Sequence, residues 1–248
     1  MDLPDFFTLV RRGQVASTND VAKDLAARGK AEGTLVVAGT QTAGRGRRGK
    51  PWSSPPGNLY MSVVLRPGCA PATAAQLGFV AAVALWDAVA DCDHPGIPLA
   101  LKWPNDVLLD GRKIAGILLE SATGRDGAVD WVVIGIGVNT AHHPADARWP
   151  AGDLQGTRDR PTPEALLPMV AGYLLDYYLL WDDEGFGPIR RLWLENAYFM
   201  PGDRIRVSEG DGDLEGAFED IDATGALVLR LPSGETRTVS YGEIGPAG

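Results

Sequence analysis

The stretch Gly44–Pro51 reads GRGRRGKP, and its residue types suit the handling of an anion. Gly44, Gly46 and Gly49 have the spacing G-x-G-x-x-G, while Gly44, Gly49 and Lys50 match G-x-x-x-x-G-K without the closing Ser or Thr. Both patterns hold phosphate because glycine lets backbone N–H groups come close and a helix then presents its positive end. Neither pattern fits its surroundings. A dinucleotide fingerprint needs a helix opening within it, and KPWSSPPGN follows instead, with three prolines that favour extended or turn backbone. A P-loop needs a hydroxyl for Mg²⁺ where Pro51 stands. What remains is a cluster of cations, Arg45, Arg47, Arg48 and Lys50, set among glycines. It could be a solvated loop, a basic nucleic-acid segment, or a loop that folds over an anionic ligand.

Three further segments carry candidate chemistry. In RKIAGILLE, strict alternation sends Lys113, Ala115, Ile117 and Leu119 one way and Arg112, Ile114, Gly116, Leu118 and Glu120 the other. Lys113 then shares a face with apolar side chains, either snorkelling at the strand end or projecting into a pocket to meet an anion. In WVVIGIGVN, Val132, Ile134, Ile136 and Val138 form a bulky face, and Trp131, Val133, Gly135, Gly137 and Asn139 form the other. Two glycines followed by Asn139 leave a trough open to a ligand or to a packed element. In KWPND, Lys102, Asn105 and Asp106 sit at a strand end, where the last two could simply close a turn. His94, His142 and His143 are the only histidines and lie in or near loop sequence, so histidine catalysis has little support.

These residues need a scaffold. STNDVAKDLAAR predicts a helix over 17–28, with Ser17 and Thr18 as capping candidates. TLVVAGT, NLYMSVVLRP, PLALKWPNDV and VDWVVIGIGVN read as strands, and VLLDGRKIAGILLE as a hairpin turning at Asp110-Gly111. Residues 70–91 read as one core helix, and two more helices are expected near 163–183 and 187–197. After about Pro201 the chain changes to short β segments between glycine-rich turns, as in a small β-barrel. The 248 residues thus divide into an α+β unit, 1–199, and a β unit, 200–248. A net charge of −9 argues against nucleic acid as the main partner. Cys69 and Cys92 make neither a disulfide framework nor a metal spacing. The N-terminus has no leader pattern, and no unbroken apolar run reaches ~18 residues, so a cytoplasmic protein without a membrane partner is expected.

Taken together, the segments resemble the biotin protein ligase family. The resemblance runs through STN (17–19), QTAGRGRRGKPW (41–52), NLYMSVVLRP, LKWPNDVLLDGRKIAGILLE (101–120) and VIGIGVN (133–139), and into LEGAFEDIDATGALVLRL and YGEI. It covers most of the chain in order, and GRGR-x-G followed by KWPND and GRKIAGIL is its specific part.

The resemblance implies a mixed sheet with packing helices, related to class II aminoacyl-tRNA synthetases, followed by an SH3-like barrel. It implies activation of biotin by ATP to biotinyl-5′-AMP, with pyrophosphate released and Mg²⁺ arriving with ATP. Transfer to a lysine of a biotin carboxyl carrier domain follows. It assigns Lys113, Arg45 and Arg47 to the reacting anions. Ser17, Thr18, Asn19, Gln41, Gly44, Arg45, Gly46, Arg47, Lys113 and Gly116 are implied around biotin. Arg47, Arg48, Trp52, Lys102, Asn105 and Asn139 are implied around ATP, and no residue is assigned to metal. Charge suits these roles because a carboxylate must approach a polyanion, and neutral amides and hydroxyls suit a urea ring. Lys50-Pro51 departs from the arginine common before the family's tryptophan. Ser17 lies too near the start for a preceding DNA-binding domain, so a ligase acting alone, with a homodimer as its assembly, is the expectation. A lipoate ligase and a non-catalytic binding module are the competing readings.

Overall fold

The computed structural model describes residues 2–92, 96–147, 149–209 and 212–247; His94 lies outside them. Strands β1 (Thr8–Val15), β2 (Thr34–Gln41), β3 (Leu59–Leu65), β4 (Leu99–Lys102), β5 (Asp106–Leu109), β6 (Arg112–Thr123) and β7 (Val129–Val138) form one sheet in the order β1-β2-β3-β7-β6-β5-β4. Only the β1–β2 pair is parallel, which makes the sheet mixed. Strands β8 (Arg204–Ser208), β9 (Asp213–Ile221), β10 (Leu227–Arg230), β11 (Thr236–Val239) and β12 (Glu243–Pro246) form a second, antiparallel sheet. The expected α+β class and β-rich tail are both present.

Helices cover the larger sheet on its two faces. Helices α3 (Leu77–Ala90), α4 (Pro163–Glu184) and α5 (Phe186–Glu195) share one core with Leu59, Met61, Ile134 and Ile136. On the other face, α1 (Thr18–Ala27) sets Ala22 and Ala26 against Val36, Val64 and Val133. Small residues four apart let this helix lie close to the strands. Burial on both faces explains why β2 and β3 read as unbroken apolar runs rather than alternating ones. The stretch Pro71–Ala90 is long and apolar enough to cross a membrane by length and composition; in the fold it is mostly buried, and its larger part, α3, lies in the core.

Four features differ from the sequence reading or add to it. The edge strand β1 went unread, because TLVRRGQV exposes both faces around Arg11-Arg12-Gly13 and shows no alternation. The helix expected over 70–91 is two, α2 (Pro71–Ala74) and α3. Ser17 is the N-cap of α1 but makes no side-chain cap hydrogen bond; the Thr18 N–H donates to Gln41 Oε1 at 2.8 Å instead.

The fourth concerns Lys113. Val107 pairs with Ala115 and Leu108 with Lys113, so Ile114 has no partner on β5 and forms a β-bulge. Ile114 and Ala115 both enter the core. The bulge reverses the alternation, and Lys113 shares its face with Gly116, not with Ala115 and Ile117. A Cβ built on Gly116 would lie 3.4 Å from Lys113 Nζ. The Asp110-Gly111 turn is as expected, with φ of 51° and 68°, the left-handed pair a tight hairpin demands.

Candidate active site

Strand register builds the site in rows on the α1 face of the sheet. Ala38, Tyr60, Gly137, Gly116, Asp106 and Lys102 lie side by side across β2, β3, β7, β6, β5 and β4. At the centre of this row Gly137 and Gly116 are neighbours, so the trough is two strands wide. The adjacent row, two residues or ~7 Å along the strands, runs Val36, Ser62, Gly135, Leu118.

One end of the trough is cationic. Asp106 lies 2.5 Å from Lys113 Nζ and 3.7 Å from Lys102 Nζ. Its Oδ1 is buried and faces Lys113 without the alignment of a full hydrogen bond. Burial pushes the Lys102 ammonium below the usual lysine range, while Asp106 works to keep it charged. Lys102 Nζ also sits 4.4 Å from the centre of the Trp149 ring. Arg47, whose Nη1 donates to Gly242 O at 3.4 Å, feels the charge of this end: burial lowers its pKa, and the Asp106 carboxylate opposes that shift.

The other end is neutral and tightly bonded. Asn19 Nδ2 donates to Glu120 Oε2 at 2.9 Å and Leu118 O at 3.4 Å. Its Oδ1 accepts from the Ser62 hydroxyl at 2.6 Å, and Ser62 also lies 2.8 Å from Thr18 Oγ1. Gln41 Oε1 accepts from the Thr18 backbone and hydroxyl, and Gln41 Nε2 donates to Ser54 Oγ. These bonds fix which way each amide points. A Cβ on Gly135 would lie 2.1 Å from Asn19 Oδ1, so only glycine permits this helix start to sit on β7.

The Gly44–Trp52 segment is a small hairpin, closed by Gly46 N to Lys50 O at 2.7 Å and Trp52 N to Gly44 O at 2.9 Å. Gly44 is needed for close approach: a Cβ there would sit 2.5 Å from Ser54 Oγ and 2.6 Å from Trp52 O. The Trp52 indole lies in the trough. A Cβ on Gly137 would come within 2.6 Å of its Nε1, and one on Gly116 within 3.3 Å of its Cζ3. Trp52 Nε1–H is buried and meets no acceptor among the described residues.

The sequence of the larger sheet, residues 12–139, matches the model of the Biotin/lipoate A/B protein ligase family, and residues 202–244 match that of the Biotin protein ligase C terminal domain. The chain belongs to the biotin/lipoate A/B protein ligase family. It is 44% identical over 224 residues to a biotin–[acetyl-CoA-carboxylase] ligase of Paracoccus denitrificans, covering 88% of this chain and 92% of that protein. It superimposes on a biotin protein ligase from Aquifex aeolicus in complex with biotin and ATP with a TM-score of 0.79, at 25% identity over 96% of this chain and 97% of that one. A biotin protein ligase from Leishmania major in complex with biotinyl-5-AMP gives 0.61, at 26% identity over 96% and 100%.

Within this ligase fold the expected residues fall into two groups. Lys113, Lys102, Gly116, Trp52 and Arg47 converge on the trough and its charged end, and Thr18, Asn19 and Gln41 form the neutral end beside the buried Ser17. The others are committed elsewhere. Arg45 grips Asp20 with both terminal nitrogens, at 2.8 and 2.6 Å. The Arg48 guanidinium lies 5.4 Å from the centre of the Tyr241 ring. Asn105 Nδ2 donates to Ile117 O, and Asn139 Nδ2 to Gly152 O. The Lys50-Pro51 departure has a structural counterpart: Lys50 forms an ion pair with Glu243, beside Gly242 O, which accepts from Arg47. The second sheet therefore holds the outer end of the arginine hairpin.

Four residues were missed as site residues. Asp106 reads as a turn former until register sets it beside Gly116. Ser62 had a signal, being a hydroxyl inside the apolar run of β3. Glu120 and Trp149 had none, since both act across distances the sequence does not display. A cavity of about 460 Å³, lined by Arg12, Val37, Gly57, Thr140 and Pro163 among others, contains none of the expected residues. For the Lys50–Glu243 pair, with side chains 51% and 36% exposed, a double-mutant cycle of Lys50→Met and Glu243→Gln in urea unfolding should give a coupling of no more than ~1 kcal/mol. A coupling several times larger would mean the pair is dry.

Proposed function

We propose that this ligase joins biotin to AMP and then passes the biotinyl group to a lysine of a carboxyl carrier domain of a biotin-dependent carboxylase. The observation that supports it is the two-ended trough: neutral donors and acceptors at one end, cations at the other, and between them a glycine floor under the Trp52 ring. A molecule with a urea ring, an apolar body and a carboxylate matches that order. Its ring would meet Ser17, Thr18, Asn19 and Gln41, its body Gly116 and Gly137, and its carboxylate Lys113 and Arg47. Gly44, Arg45 and Gly46 would shape the loop above it.

In the first step a carboxylate oxygen attacks the α-phosphorus of ATP, the bond to the β-phosphate oxygen breaks, and pyrophosphate leaves. Negative charge grows on the α-phosphoryl oxygens, where fixed cations help most. Lys113, Arg47 and Lys102 supply them, and Mg²⁺ comes with ATP as part of the substrate. Trp52, Arg48, Asn105 and Asn139 belong to the ATP side of this reading. The indole must shift to admit a ligand, and its unpartnered N–H makes that shift cheap. In the second step the neutral acceptor amine attacks the anhydride carbonyl, AMP leaves, and the amine's proton is released. We place the unit boundary at 199/200, with the second sheet steadying the loop. The reading includes a cytoplasmic enzyme acting without nucleic acid, in line with a net charge of −9, and a pair of copies as its working form.

Incubation with ATP, Mg²⁺, a carrier domain and labelled biotin or lipoate tests the assignment. Biotin labelling with biotin-dependent pyrophosphate release is expected; lipoate labelling alone would overturn it, and ligand binding without pyrophosphate would make this a binding module. Lys102 adds a pH signature. Burial lowers its pKa, so its charge, needed toward ATP, is lost at a pH below the ordinary lysine range. kcat/KM for ATP should fall on the alkaline side below ~10.4, and Lys102→Arg should move that limb upward.

A further inference from the structure

We propose that Asp20 is a positioning residue that holds the arginine hairpin against helix α1 through Arg45. This deepens the reading above, and it rests on that reading only for the hairpin's role as the cover of the bound substrates. Arg45 donates from Nη1 to Asp20 Oδ2 at 2.8 Å and from Nη2 to Asp20 Oδ1 at 2.6 Å, a bidentate fork on one carboxylate. Glu120 Oε2 lies 3.8 Å from the same Nη2. Lys23 closes the ring, 3.1 Å from Asp20 and 2.5 Å from Glu120. Two acids and two bases make the cluster neutral.

Three consequences follow from this geometry. First, the fork takes both terminal nitrogens of Arg45, so Arg47 and Lys113 are left to meet substrate anions, and the two arginines of the GRGR motif have different work. Second, every bond of the latch is made by the protein, so it holds the hairpin independently of any ligand. Third, Asp20 directly follows Asn19, and Glu120 bonds both Asn19 and Lys23. The latch therefore fixes the loop to the same helical turn that carries the neutral end of the trough. A loop held in its binding arrangement gives up less affinity than one that must first find it.

The effect is bounded by exposure, since the Arg45 and Asp20 side chains are 33% and 41% exposed. An ion pair of this kind shifts an equilibrium by roughly fivefold or less. The test compares wild type, Asp20→Asn and Asp20→Glu. Trypsin cleavage after Arg45, Arg47 and Arg48 is followed with and without saturating biotin and ATP, and KM and kcat are measured for biotin. In Asp20→Asn, ligand-free cleavage and KM for biotin should both rise about fivefold, with kcat unchanged and Asp20→Glu partly restored. Wild-type cleavage should quicken with added salt, and that of Asp20→Asn, which keeps only the longer Arg45–Glu120 contact at this end, should respond less. Ligand-free cleavage of Asp20→Asn at the wild-type rate, or a fall in kcat at constant KM, would overturn the proposal. If biotin and ATP fail to protect the wild-type loop, the loop is no cover, while the ligand-free comparison still decides the latch.

Discussion

Lys113→Ala should lower biotin-dependent pyrophosphate release by about 10²–10³-fold, the usual loss when one group aimed at developing charge is removed. The fold should survive. Lys113 lies at the site's edge, with its side chain 26% exposed, and its neighbours Ile114 and Ala115 carry the core packing. A complication lies in Asp106, whose nearest cation is removed by the change. Lys102 remains 3.7 Å away, so the carboxylate keeps one partner but a poorer one. The slow rate could then come from an ill-paired carboxylate in the trough and not from a missing cation. The variant Lys113→Ala/Asp106→Asn separates the two causes. If Lys113 acts on the substrate, the double variant stays as slow as the single one. If Asp106 is at fault, neutralising it restores most of the rate, and Lys113 becomes a partner of Asp106 only. Initial rates of pyrophosphate release, measured with both substrates saturating, give the answer directly.

The parts of this site that could be read in the sequence are local ones. Asp110-Gly111 marks its hairpin because two adjacent residues set the turn. Gly135 and Gly137 mark a trough because alternation within β7 puts them on one face. What could not be read depends on register between strands. Nothing local says that Gly116 lies beside Gly137, or that Asp106 and Lys102 continue the same row. The bulge at Ile114 shows the limit most clearly, since strict alternation puts Lys113 on the face of Ala115 and Ile117 and a single extra residue puts it on the face of Gly116. The arginine loop is a second case. Its glycines and charges are visible, but its anchors, Asp20 in α1 and Tyr241 to Glu243 in the second sheet, are fixed only by the fold. Edge strand β1 was lost because its exposed arginines hide the pattern that marks buried strands.

Gly137→Val should cost binding while sparing the fold, and Gly135→Val should cost the fold itself. The two glycines lie two residues apart on one strand, and neither has a positive φ that would forbid a side chain. Valine also suits a strand. The difference is in what each new Cβ would meet. At Gly135 it meets Asn19 Oδ1 at 2.1 Å, and Asn19 is tied to Ser62, Glu120 and Leu118, so the helix start must move or three hydrogen bonds break. At Gly137 it meets the Trp52 ring, with Nε1 at 2.6 Å and no hydrogen bond to lose. That ring hangs from a loop and can turn out. Valine then takes the floor of the trough from the ring and from biotin alike. Overpacking of this kind typically costs 1–3 kcal/mol, so biotin should bind about 100-fold more weakly to Gly137→Val, with Tm within a few degrees of wild type. Gly135→Val should melt clearly lower. Titration calorimetry with biotin and thermal unfolding of both variants make the comparison. Undiminished affinity in Gly137→Val would show that Trp52 keeps that seat permanently and that biotin lies elsewhere on the sheet.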